Sequence, residues 1–85
     1  MKVCVYSVRD LINGYGQPFT SSNDASATRD FKLALSRKDS LLYVSSEDFD
    51  LMRVGEFDDE TGMLEPCAPT IIAKGYVVAK EFENA

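Results

Sequence analysis

The run Ser46-Glu47-Asp48-Phe49-Asp50-Leu51-Met52-Arg53-Val54-Gly55-Glu56-Phe57-Asp58-Asp59-Glu60-Thr61-Gly62 constrains the fold most, because it joins a local cap, a half-buried strand and a tight turn. Ser45 or Ser46 is placed to cap a single helical turn through Glu47 and Asp48, since a serine oxygen accepts from orphan amides and acids suit the positive end of the turn. Phe49 then anchors that turn to a core. From Asp50 to Phe57 the residues favour an extended chain, with Leu51 and Phe57 in one phase and Met52 and Val54 in the other. A bulge at Gly55 reconciles the two phases. Asp58-Asp59-Glu60-Thr61-Gly62 combines turn-forming acids with a glycine where a positive φ is needed, so Met63-Leu64-Glu65 is expected to return antiparallel.

A chain of 85 residues supports one domain with a single modest core, too small to enclose a sizeable ligand cavity. Its apolar share of 45% and net charge of −5 are those of a folded protein rather than a disordered one. The Val3-Cys4-Val5-Tyr6 run is too short for a signal peptide, and no segment approaches the ~20 apolar residues of a membrane span. These features predict a protein of the cytoplasm in which it is made, with no membrane partner. Cys4 and Cys67 lack CxxC spacing and are expected to be thiols, both buried as small hydrophobes.

Lys2 to about Arg9 is apolar in both phases, which suits a central strand. Asn13-Gly14-Tyr15-Gly16-Gln17-Pro18 is dense in turn formers, so the chain is expected to leave the sheet there through a surface loop before Phe19 returns. Thr20 through Asn23 offers several N-caps, and Ala27, Phe31, Ala34 and Leu35 recur at helical spacing, predicting a helix over Asp24 to Ser36. Arg29, Lys32 and Ser36 take its outer face. Leu41-Leu42-Tyr43-Val44 reads as a further strand. Pro66 and Pro69 are expected to end the hairpin's return strand, because proline donates nothing to a ladder. Thr70-Ile71-Ile72-Ala73 is another strand, and the β-branched content of Tyr76-Val77-Val78-Ala79-Lys80 favours its extension over a short helix. The expected fold is α+β: one main helix packed on a small antiparallel sheet of about four strands, with Phe31, Leu35, Phe49, Leu51 and Phe57 in one core.

The residues offer little to catalysis. The chain has no histidine, the commonest general base at neutral pH, and neither cysteine has a neighbour that marks a nucleophile, so an enzyme is not expected. Asp58, Asp59 and Glu60 lack the ligand set of a calcium loop and read as a solvated turn, and Gly14 and Gly16 make no phosphate-binding motif. No cofactor or metal is implied. An acidic chain repels phosphates at long range, so nucleic-acid binding requires its basic residues on one face. The candidates are Arg9, Arg37, Lys38, Lys74 and Lys80, with Tyr15, Tyr43 and Tyr76 as stacking surfaces. Scattered solubilising charges are the plainer reading of the same residues.

The order of the pieces adds a resemblance. Val5-Tyr6-Ser7-Val8-Arg9-Asp10, then Pro18-Phe19 with Asn23-Asp24 leading a helix that holds Arg29 and Phe31, then Glu47-Asp48-Phe49-Asp50-Leu51 through Val54-Gly55-Glu56-Phe57-Asp58-Asp59-Glu60-Thr61-Gly62, resembles the small nonstructural protein of gokushoviruses. These are single-stranded DNA phages of the Microviridae. The likeness spans nearly the whole chain and is looser over Pro66 to Gly75, while Ser45 stands where a proline often precedes the Glu-Asp-Phe turn. The resemblance implies a DNA-binding protein of the host bacterial cytoplasm that helps switch genome synthesis from duplex replication to single strands for packaging. Its implied partners are single-stranded DNA and viral or host replication proteins, and it assigns no binding residues; separately, the net charge of −5 leads to the expectation that binding strengthens only if a homo-oligomer aligns several basic patches along one strand. The competing expectation is a protein-interaction module, for which an acidic surface and an open sheet edge suffice.

Overall fold

The computed structural model describes residues 1–37 and 44–83. Strand β1 (Lys2–Asp10) lies in the sheet interior, as its two-sided apolar pattern requires, and pairs antiparallel on one side with β4 (Phe49–Asp58). Its other side carries two short strands, β2 (Gly14–Tyr15) and β3 (Phe19–Ser21). β5 (Leu64–Lys74) closes the hairpin with β4 and forms the far edge, giving the order β2-β1-β4-β5 with β3 also on β1. Helices α1 (Asp24–Leu35) and α2 (Gly75–Glu83) cover one face. The class is α+β, with five antiparallel strands and two helices among the described residues, where about four strands and one main helix were expected.

Helix α1 begins where its cap predicts. Asn23 Oδ1 accepts from the Ser26 amide at 2.8 Å, and Ala27, Phe31 and Leu35 form the buried stripe. They meet Tyr6, Phe49, Leu51 and Val78 in one core. Asp24, in the first turn, also joins α1 to the sheet. It accepts from the Tyr6 hydroxyl at 2.6 Å and from Arg53 Nη1 at 3.1 Å, so one carboxylate ties the helix to both β1 and β4. Burial, followed by that bond, raises the Tyr6 phenol far above its ordinary range and keeps it a donor. Phe19, opposite Tyr6 in register, stacks on its ring with centroids 5.9 Å apart.

The turn between β4 and β5 forms as read: Gly62 has φ 78°, and its amide reaches the Asp58 carbonyl at 2.8 Å. Asp58 Oδ1 accepts from the Glu60 amide at 2.9 Å, and that bond holds its carboxyl below the usual range. The bulge also forms, with Val54 displaced between Arg53 and Gly55 against the continuous pairing of Val5 and Tyr6. A single 3₁₀ turn spans Ser46–Asp48, closed by the Asp48 amide on the Ser45 carbonyl at 2.9 Å, with no side-chain cap from Ser45.

Other expectations are corrected. Pro66 and Pro69 do not end the return strand; β5 continues to Lys74 because it is an edge, and residues 67–69 bulge between the pairs Gly55–Pro66 and Arg53–Thr70. Tyr76 to Lys80 is helical rather than extended. Burying Val78 against the core outweighs the local β preference of Tyr76-Val77-Val78. Phe57 stays outside the core, since it lies near the hairpin tip, half-buried opposite an exposed Leu64. Cys4 is half-buried and Cys67 exposed on that projecting edge; both are free thiols. Of the strand expected over Leu41-Leu42-Tyr43-Val44, the first three residues lie outside the described residues, and Val44 is exposed and helical rather than extended.

Candidate nucleic-acid interface

Strand pleating sends Tyr6, Phe49, Leu51 and Ala73 toward the helices and their neighbours to the opposite face, which is helix-free among the described residues. On that face the register aligns Tyr15 of β2 with Arg9 of β1, Arg9 with Asp50 of β4, and Asp50 with Lys74 of β5. At ~4.8 Å per strand the row spans roughly 14 Å of sheet. Next to it the pair Ser7 and Met52 is buried, and Ile71, opposite Met52, is exposed.

The segment expected to be a surface loop creates one end of this row. Asp10 Oδ1 accepts from the Ile12 amide, Asp10 Oδ2 from Asn13 Nδ2, each at 2.9 Å, and Gly14 takes φ 93°. The Ile12 bond, then Asn13, holds the Asp10 carboxyl below its ordinary range. The chain thereby turns back along β1, where the Gly16 amide reaches the Val8 carbonyl at 2.9 Å and Ser7 Oγ donates to the Gly16 carbonyl at 2.8 Å. Tyr15 is thus fixed in the sheet with about half its surface free.

Arg9 Nη2 donates to Asp50 Oδ2 at 2.8 Å, a bond that raises the guanidinium pKa. Lys74 is exposed and makes no ion pair among the described residues. The remaining candidates fall elsewhere. Arg37 follows α1 in the helical layer, while Lys80 of α2 sits over the Tyr76 ring at 4.7 Å. Lys38 and Tyr43 lie outside the described residues. Sequence reasoning missed Asp50, whose role depends on sheet register, and Arg53, which is occupied by Asp24.

Acidic groups gather at the other end of the molecule. Asp58, Asp59 and Glu60 surround the Met1 ammonium, the shortest contact being 2.7 Å to Asp59. Glu56, Asp58 and Glu65 line a shallow depression there together with Lys2. No cluster of three metal-ligating side chains occurs among the described residues, and no described helix is long and apolar enough to cross a membrane.

Residues 3–78 match the family described as Phage ORF5 protein. The chain belongs to that phage protein family. No curated protein and no solved structure shows significant similarity to it. Both the helix-free row and most of the helical layer lie within the matched segment of this phage protein.

Proposed function

We propose that this phage protein is a nonenzymatic, single-stranded DNA-binding protein of the gokushovirus type, acting in the host bacterial cytoplasm. It binds displaced single strands or the replication complex and promotes the change from duplex replication to single-strand synthesis and packaging. The observation that carries the reading is the helix-free face on which an exposed tyrosine, an arginine and a lysine stand in one row. A row with an exposed aromatic ring and cations suits unpaired bases, which offer a π-face to the ring while their phosphates meet the cations. The resemblance to gokushovirus nonstructural proteins supports the same assignment.

The charge distribution limits the affinity of one copy. A net charge of −5 opposes approach, and one cation of the row is paired with Asp50. Useful affinity therefore comes from several copies aligned on one strand, where linked weak contacts multiply. In a salt titration with a labelled oligothymidylate, log affinity is expected to fall by about 0.7 per phosphate contact for each log unit of salt. Lys74→Ala should flatten that slope by about one contact. Arg37→Ala, in the helical layer, should leave it unchanged. Undetectable binding at low salt by folded, assembled protein would instead favour the second reading, an interaction module for a viral or host replication or assembly factor. That reading has its own observation: β5 is an exposed sheet edge next to the acidic tip.

A further inference from the structure

We infer that Asp50 is a built-in competitor for the DNA phosphate that Arg9 takes, so that the sheet face is held partly masked until a strand displaces it. The inference rests on the DNA-binding reading above. It starts from position: Asp50 lies in register between the two cations of the row, with Arg9 on one neighbouring strand and Lys74 on the other. The Asp50 side chain is 11% exposed and that of Arg9 29%, so the 2.8 Å pair is only partly screened by water.

The guanidinium is not saturated by this carboxylate. Asp50 engages Nη2, whereas Arg9 Nε is closed off from solvent with no hydrogen-bond partner. A guanidinium has five N–H donors in a fixed fork and grips phosphate through two parallel bonds, so Arg9 gains a bond over its single one to Asp50 once its side chain swings outward to a phosphate, which the buried Nε does not reach where it stands. Lys74, one strand away at ~4.8 Å, is the cation that receives Asp50 when a phosphate takes Arg9. In either arrangement one carboxylate offsets one of two cations, leaving the row a single net positive charge. Removing the carboxylate charge leaves two.

Asp50→Asn tests this, because asparagine keeps the shape and one acceptor while removing the charge. Labelled oligothymidylate is titrated into wild-type and variant protein at several salt concentrations, with the fold of each checked by circular dichroism. The variant should bind about fivefold tighter at low salt, the scale of a partly exposed ion pair. Its salt slope should steepen by about 0.7, one added phosphate contact. Should the variant fail to fold, the arginine Nε resonances of unmodified protein provide the reading. The Arg9 signal should shift with the same midpoint as oligonucleotide binding. Wild-type binding with an unchanged or weaker Asp50→Asn variant, or with an unmoved Arg9 signal, overturns the inference and leaves the DNA-binding reading standing. Absence of binding by both folded proteins overturns both.

Discussion

Phe31→Ala is expected to lower the unfolding free energy by about 3 to 5 kcal/mol, the range for removing a buried phenylalanine ring. Phe31 is 3% exposed and belongs to the cluster that joins α1, through Tyr6 and Leu51, to the two central strands, and through Val78 to α2. Truncation removes apolar burial and leaves a cavity that a core shared by α1, α2 and the sheet closes poorly. The loss is a large part of the 5 to 15 kcal/mol roughly available to a domain. Chemical denaturation of wild type and variant checks it, and coincident midpoints would show that α1 does not bury this ring against the sheet.

A second substitution should act against its own helix propensity. Gly75 is the first residue of α2, and alanine there would ordinarily favour the helix by about 1 kcal/mol. A Cβ at Gly75, however, would collide with the backbone carbonyl oxygens of Ser46 and Phe49, which belong to the 3₁₀ turn and the start of β4. Backbone oxygens have no rotamer into which to retreat, so α2 must move off the turn and draw Val78 from the core. Gly75→Ala should therefore destabilise by about 1 to 3 kcal/mol, despite the propensity gain. Thermal melts give the sign directly, and a stabilised variant would place α2 farther from the 3₁₀ turn.

These two residues also mark what could be read in advance. Phe31 was legible because it recurs with Ala27 and Leu35 at helical spacing, a signal contained within one element. The Gly62 turn and the irregularity beside Gly55 were legible for the same local reason. Gly75 was not. Its requirement comes from carbonyls almost thirty residues earlier in the chain, and the helix it starts is decided by Val78 reaching a distant core. The continuation of β5 through Pro66 and Pro69 likewise depends on that strand being an edge, which the residues of the strand do not encode. The candidate residues follow the same division: Arg9, Tyr15 and Lys74 are legible by type, but only sheet register places them together, puts Asp50 among them and leaves Tyr76 and Lys80 in the helical layer.

In the proposed complex single-stranded DNA lies across the helix-free face of the sheet. Amide chemical shifts followed during an oligothymidylate titration test it most directly, because they report position without altering any residue. Changes should concentrate at Arg9, Tyr15, Asp50 and Lys74 and their strand neighbours Ser7 and Met52, with α1 and the Asp58–Gly62 turn unmoved. Shifts confined to the helical layer or to that acidic turn, or no shifts in folded protein at low salt, would contradict it.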